Sequence, residues 1–144
     1  MNQAMAMYQN MGNQVFSKAV TTLAPYFSTI EPTFTELRPG YAEVTFANRR
    51  EVHNHIGTVH AIALCNAAEL AAGTMTTVSI PDGRQWIPVG MSVQYLAKAK
   101  TDMRVVANGE NVAWDQVGNV DVPVDAFDTE GRRVFTATIT MNLK

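Results

Sequence analysis

Apolar residues recur at two different spacings along the chain and divide it into helical and extended segments. Between residues 12 and 24, apolar side chains three and four positions apart predict a short amphipathic helix, which Pro25 ends. From about His60 to Met75 nearly every position is apolar, which predicts a long buried helix with Thr58 as its N-cap. Residues 1–11 are expected to be a flexible tail, and the alternative is that Met5, Met7, Tyr8 and Met11 cover an apolar surface or lie in a groove of a partner.

The remaining segments show the β-rich composition and partial alternation of strands. One strand is expected around Phe34 and Leu37, and a turn at Pro39-Gly40 leads into the next. The predicted strands after this first one are 41–46, 89–97, 103–108, 117–127 and 132–142. The order is therefore helix, two strands, long helix, four strands, which predicts a single α+β domain over residues 1–144. A helix apolar almost all round needs cover on several sides, so we expect a curved antiparallel sheet wrapped around it.

Composition and charge argue against several classes of partner. The formal net charge is −2 and charged residues make up 17%, so we expect neither nucleic-acid nor anionic-membrane binding. The N-terminus lacks a basic start and an apolar run, and no membrane span is expected, which favours the cytoplasm. The single cysteine, Cys65, has no disulfide partner and is interpreted as a packing residue.

One acid interrupts the apolar helix and is the strongest candidate for chemistry. Glu69 is the only charged residue between His60 and Asp82. An ionised carboxylate that is buried without partners costs several kcal/mol. Either an arginine or backbone N–H groups satisfy this carboxylate, or it is kept for a function.

Helix geometry limits how Glu69 and His60 work together. Nine residues separate them. At roughly 100° per residue they lie on opposite sides of the helix, and about 13.5 Å apart along its axis. A site that uses both must therefore combine two chains, and a two-fold dimer with antiparallel helices would contain two such sites.

The start of this helix supplies further groups to such a site. Its free N–H groups lie at the positive end of the helix macrodipole, so the Ala61 amide is a candidate for binding an oxyanion. The side chains of Asn54 and His60 are candidates for positioning a carbonyl or a water. Glu69 is then the nucleophile or the general base.

The segment HNHIGTVHAIALCNAAELAAG, together with the order of elements, resembles the hotdog-fold acyl-CoA thioesterases. The similarity is greatest to the branch of phenylacetate-pathway and enterobactin-pathway thioesterases. In that branch an Asn or Gln lies six residues before a His, and an Asp or Glu nine residues after it. Asn54, His60 and Glu69 match this spacing.

The resemblance implies hydrolysis of an acyl thioester, carried by coenzyme A or a carrier protein, at a dimer interface. It implies Glu69 as nucleophile or base, an oxyanion contact from the Ala61 amide, and orientation of the thioester by Asn54 and His60. It also implies a homodimer or a dimer of dimers, with no cofactor beyond the coenzyme A of the substrate. Further contacts to the substrate are expected from Gly57, Thr58 and Thr74.

Two positions depart from that branch. Its His-Gly-Gly is replaced by His60-Ala61-Ile62, and Gly allows closer approach of a ligand to the backbone. The Ser or Thr often found four residues after the acid is replaced by Gly73, with Thr74 following. These changes leave open the alternative that the protein is a non-catalytic acyl-CoA-binding module. An enoyl-CoA hydratase or dehydratase is a further alternative on the same fold.

Metal and serine chemistry are not favoured. His53, His55 and His60 fall within eight residues, but no Cys or acid completes a known zinc spacing, so no metal site is predicted. The chain also lacks the G-x-S-x-G motif of serine hydrolases.

Overall fold

All six strands of the computed structural model, which describes residues 1–144, form one antiparallel sheet in the order β1-β2-β4-β5-β6-β3. Two α-helices and two short 3-10 helices complete the chain. The predicted fold, a curved antiparallel sheet around a long central helix, is confirmed. In chain order the elements are α1 (Gln3–Leu23), a 3-10 helix (Pro25–Ile30), β1 (Thr33–Arg38), β2 (Tyr41–Phe46), a 3-10 turn (Arg50–Val52), α2 (Ala61–Ser79), β3 (Trp86–Tyr95), β4 (Met103–Asn108), β5 (Gly118–Phe127) and β6 (Arg133–Leu143).

The central helix α2 packs one alanine-rich face against the sheet, mainly on β2, β4 and β5. Small side chains on that face let the helix approach the strands closely. By length and composition α2 is apolar enough to cross a membrane, but 67% of its most apolar window is buried, as in the core helix of a soluble domain. Buried residues at three- and four-residue spacing along α2 are Leu64, Ala67, Ala68, Ala71, Ala72, Met75 and Val78.

The N-terminal helix is longer than the sequence pattern predicts. It begins at Gln3, so residues 3–11 are helical and were wrongly expected to be a flexible tail. The chain kinks at Gly12, whose φ of 77° interrupts the helical period on which the prediction relied. Asn2 caps the helix by accepting from the Met5 N–H, and its side-chain amide donates to the Thr77 and Ile80 carbonyls. The start of α1 is thereby fixed to the end of α2.

The second half of α1 is fixed to β1. The buried Ser17 hydroxyl accepts from the Phe34 N–H at 2.8 Å and donates to the Asn13 carbonyl at 2.6 Å. Phe16 packs edge-on against Phe34 and against Tyr8. Helix α1 is therefore held in two places, at its start by the end of α2 and in its second half by β1.

Strand β3 lies at one edge of the sheet and pairs only with β6. Large apolar side chains on this strand remain exposed, with 42–57% of their surface accessible in the single chain. An edge strand with exposed apolar residues is suited to pairing with a strand of another chain. These residues are Ile87, Val89, Met91 and Tyr95.

Candidate active site

The first turn of α2 leaves one backbone N–H without a partner. The Ile62 N–H donates to His60 Nδ1 at 3.0 Å, and the Ala63 and Leu64 N–H groups donate to the His60 carbonyl. The Ala61 N–H donates to no group in the chain. Since the helix macrodipole is positive at this end, the Ala61 N–H is suited to binding a carbonyl or alkoxide oxygen.

The N-cap of α2 is His60, which corrects the prediction of Thr58. Because Nδ1 accepts the Ile62 N–H, the ring is assigned as the neutral tautomer with its proton on Nε2. The His60 side chain is exposed, and its Nε2 has no partner in the chain. It therefore presents a free N–H at the same end of α2 as that of Ala61.

Asn54, Gly57 and Thr58 build the loop that leads into α2. The side-chain oxygen of Asn54, Oδ1, accepts from the Ile56 and Thr58 N–H groups at 3.1 and 3.0 Å. Its amide donates to Thr58 Oγ1 at 2.8 Å, and Gly57 closes the turn with a φ of 80°. In the single chain these three residues hold the loop, and the predicted contacts with a substrate remain a prediction.

Glu69 carries a carboxylate without a partner. Its side chain is half-buried on α2, and it makes no hydrogen bond and no ion pair within the chain. The sequence left open whether an arginine or backbone amides satisfy this acid, and neither is present. An unpaired carboxylate beside apolar surface is available for chemistry.

A cavity of about 470 Å³ lies between α1 and α2, and Glu69 forms part of its wall. We call it the α1 cavity. Its polar lining consists of Glu69, Thr74 and Thr77, and Thr74 makes no hydrogen bond in the chain. The predicted substrate residue Thr74 thus lies in the same cavity as Glu69. Its apolar lining includes Ala4, Met7, Phe16, Val20, Phe27, Leu70 and Trp86.

The indole of Trp86 lies so close to position 73 that only glycine fits there without a shift of the ring. A Cβ at position 73 would lie 2.7 Å from Trp86 Cη2, closer than such atoms approach. The indole N–H donates to Thr77 Oγ1 at 2.9 Å, which holds the ring across the helix. Position 73 lies four residues after Glu69. Because it is glycine and not Ser or Thr, the Trp86 ring fits against it and forms part of the wall of the α1 cavity.

Within one chain the predicted site residues fall into two groups. Glu69 and Thr74 line the α1 cavity, whereas His60 lines a separate cleft of about 160 Å³ beside the Pro25–Ile30 helix. That cleft also contains Asn66, which the sequence analysis missed. Asn66 is 8% exposed, and its Oδ1 is buried without a partner. A polar residue inside an otherwise apolar helix was the signal available for finding it.

Cys65 and the histidines show no sign of separate chemistry. The Cys65 sulfur lies 4.0 Å from the Tyr95 hydroxyl, and burial raises the pKa of this thiol. The thiol therefore stays protonated at neutral pH, as a packing residue does. His53 Nε2 is hydrogen-bonded to Asn48 Oδ1 at 2.6 Å. No three His, Cys, Asp or Glu side chains are grouped closely enough to hold a metal ion.

Solved structures with the same fold carry names that refer to thioesterases. A probable thioesterase from Pseudomonas aeruginosa, PA5026, is 22% identical with a TM-score of 0.77, covering 89% of this chain and 93% of its own. A thioesterase family protein from Silicibacter pomeroyi is 18% identical with a TM-score of 0.76, covering 88% and 94%. At these identities the likeness shows the hotdog fold.

A nearer relative is the protein whose crystal structure is called genomics APC5556. It is 60% identical, with a TM-score of 0.89 over 99% of this chain and 96% of its own. No curated protein matches the chain. The model of one sequence family matches residues 12–143, nearly the whole chain. The chain therefore belongs to the family described as a domain of unknown function (DUF4442), and its fold is that of the hotdog thioesterases.

Proposed function

We propose that the protein hydrolyses an acyl thioester carried by coenzyme A or by a carrier protein. The observation that carries the proposal is the Glu69 carboxylate, which lies unpaired in the wall of an apolar cavity. The free Ala61 N–H, at the start of the same helix, supplies the complementary donor. The thioesterase names of the structural relatives support the same reaction class.

The active site is formed between two copies of the chain. One copy keeps His60 and Glu69 in different pockets, as the helix geometry requires. The exposed apolar edge strand β3 supports a dimer in which the two β3 strands pair about a two-fold axis. Each site then combines Glu69 of one protomer with the Ala61 and His60 groups of its partner, in a dimer or a dimer of dimers.

Each residue has a defined role in the reaction. The Ala61 N–H and the His60 Nε2–H donate to the thioester carbonyl oxygen and stabilise the charge that develops there. As a general base, Glu69 removes a proton from the attacking water, the carbon–sulfur bond breaks, and the sulfur leaves as a thiol with that proton. As a nucleophile, Glu69 forms a mixed anhydride with the acyl group while the sulfur leaves as a thiolate that takes a proton from solvent, and water then hydrolyses the anhydride to the free acid and restores the carboxylate. Asn54 holds the loop that presents His60 to the substrate.

No cofactor takes part in this scheme, because an acid and two N–H donors suffice for thioester hydrolysis. Coenzyme A enters only as part of the substrate. The cytoplasm is the expected compartment, where the single thiol of Cys65 needs no disulfide partner.

Two substitutions test the proposal on an acyl-CoA panel, with release of the free thiol as the readout. Glu69→Gln keeps the shape of the side chain and removes the base, so kcat falls by roughly 10²–10⁴. Ala61→Pro removes only the free N–H, because Pro is tolerated at the first helical position and His60 already has the extended ψ of 138° that precedes Pro. Loss of one oxyanion donor lowers kcat by roughly 10²–10³.

Mixing the two inactive variants tests whether the site is shared. In a hybrid dimer one site has both Glu69 and the Ala61 N–H intact, and the other has neither. Random exchange of subunits therefore restores about a quarter of the wild-type activity if each site uses both chains. Glu110→Gln, an exposed acid outside the site, is the matched control and keeps full activity.

Three results would contradict the proposal or part of it. Full activity in Glu69→Gln would remove the proposed base. Absence of restored activity in exchanged dimers would place both groups in one chain. Binding of acyl-CoA by the wild type without any turnover would identify a non-catalytic acyl-CoA-binding module instead.

A further inference from the structure

The α1 cavity is elongated along α2. Its α2 lining comes from Glu69, Leu70, Gly73, Thr74 and Thr77, which share one face of the helix. Eight residues separate Glu69 from Thr77, or about 12 Å along the axis. The cavity therefore extends from a carboxylate at one end to the start of α1 at the other.

The chemistry of the lining changes along this length. Beyond Glu69 and Thr74, the remaining polar side chain is Thr77, whose Oγ1 already accepts the indole N–H of Trp86. At the far end the lining is Ala4, Met7 and Trp86. A ligand in this cavity has its polar group at the Glu69 end. A polar group at the far end would lose its hydrogen bonds to water without gaining a partner, so that part of the ligand is apolar.

Length and volume limit the ligand independently. Carbon–carbon bonds of about 1.5 Å project to roughly 1.3 Å per carbon in an extended chain, so 12 Å corresponds to about nine carbons. If a methylene occupies ~30 Å³, the volume of a water in the liquid, the cavity of about 470 Å³ holds at most roughly fifteen methylenes. A phenylacetyl group also has eight carbons, but six of them form a ring, so it is shorter than a straight chain of eight and would not reach the far end.

The far end of the cavity has a fixed position. Asn2 joins the start of α1 to the Thr77 and Ile80 carbonyls, and the Gln3 N–H donates to Asp82 at 3.0 Å. Ala4 and Met7, which form the far end, lie in the turns next to these anchors. The first half of α1 is therefore a rigid stop, and a rigid stop produces a sharp limit on chain length.

We propose that the α1 cavity binds a straight aliphatic acyl chain of roughly eight to twelve carbons, with the thioester at Glu69 and the terminal methyl against Ala4, Met7 and Trp86. The inference rests on the proposed thioesterase function for the orientation of the chain. It adds the substrate class, a medium-chain fatty acyl thioester, and it assigns chain-length selection to the first half of α1.

The test measures kcat/KM for straight-chain acyl-CoAs from two to sixteen carbons, and for phenylacetyl-CoA, with the full chain. Burial of each methylene raises kcat/KM by up to about fourfold, until the chain reaches the stop. Ala4→Leu fills the far end, so the preferred chain shortens by about two to three carbons. Activity on decanoyl-CoA then falls roughly 15- to 60-fold relative to activity on butanoyl-CoA.

Two further variants keep the test independent of folding. Met7→Ala enlarges the far end and moves the preferred chain to greater length, in the opposite direction from Ala4→Leu. Ala6→Leu makes the same chemical change in the same half of α1 but does not line the cavity, so its chain-length profile is that of the wild type. A preference for acetyl-CoA or phenylacetyl-CoA, or a profile that none of the variants moves, would overturn the inference.

Binding of decan-1-ol, measured by calorimetry, separates this inference from the proposed function because it requires no turnover. Decan-1-ol binds the wild type once per chain, and binds Ala4→Leu at least tenfold more weakly, if the cavity accepts an aliphatic chain. Such binding without hydrolysis of any acyl-CoA would support the cavity and refute the enzyme. Hydrolysis with a flat chain-length profile and no decan-1-ol binding would support the enzyme and refute the cavity.

Discussion

Replacement of Gly73 by alanine is expected to destabilise the protein, although alanine is the better helix former. In an open helix interior the change would raise the free energy of unfolding by about 1 kcal/mol. Here the new Cβ would lie 2.7 Å from Trp86 Cη2 and 3.3 Å from Cζ2, so the indole must move. Overpacking of this kind costs about 1–3 kcal/mol.

Movement of the indole also weakens its hydrogen bond to Thr77 Oγ1, which contributes about 0.5–1.5 kcal/mol. The net effect of Gly73→Ala is a loss of about 0.5–3.5 kcal/mol. For a domain of this size that loss lowers Tm by roughly 2–12 °C. Urea unfolding at one fixed protein concentration measures the change, because association makes the measured stability depend on concentration.

The sign of the effect depends on Trp86. In a Trp86→Leu background the aromatic atoms that meet the new Cβ are gone, and Gly73→Ala is expected to raise the free energy of unfolding by about 1 kcal/mol. The two single variants and the double variant together form a double-mutant cycle. If Gly73→Ala has the same effect with and without the indole, the contact does not constrain position 73 and the reasoning fails.

Three further predictions concern the edge strand, a turn and the α1 anchor. Val89→Lys puts a charge on the exposed edge of β3 and is expected to yield monomers without activity in sedimentation and turnover assays; an active dimer would contradict pairing through β3. The backbone N–H of Arg132 holds the pKa of Asp128 below its usual 3.8, so the stability that Asp128 contributes is present above that pH and lost as the pH falls through the lowered pKa. Asp128→Asn is therefore expected to reduce the urea midpoint more at pH 7 than at pH 2, and an equal reduction at both would refute the linkage. Ser17→Ala leaves the buried Phe34 N–H unsatisfied and is expected to cost about 1–3 kcal/mol in urea unfolding, whereas Ser28→Ala, at an exposed hydroxyl, costs less.

The sequence pattern predicted the sheet well, because alternation directly reports which face of a strand is buried. Strand β4 was predicted at 103–108 and lies at Met103–Asn108, and β5 begins at Gly118, one residue from its predicted start. The helix starts were predicted less well. Gly12 interrupts the period of α1, so residues 3–11 were missed, and histidine is an uncommon N-cap, so His60 was passed over for Thr58.

The α1 cavity was not predictable, since it depends on three segments that are far apart in sequence. Its walls come from residues 4–27, from α2 and from the start of β3. The spacing of Asn54, His60 and Glu69 did predict that one chain keeps His60 and Glu69 apart, because that follows from helix geometry alone. That Glu69 has no arginine partner depends on packing, and packing was not visible in the pattern.

The nearly uniform apolar character of α2 results from two different requirements on its two sides. Alanines on the sheet side allow close packing, whereas Gly73 and the threonines on the α1 side keep space open. Gly73 admits the Trp86 ring, and the ring in turn closes the far end of the cavity above Thr77. A serine at position 73 would displace this ring. Glycine at position 73 and the long apolar cavity therefore depend on each other, and Thr74, one residue farther along, is the free hydroxyl in the same cavity as Glu69.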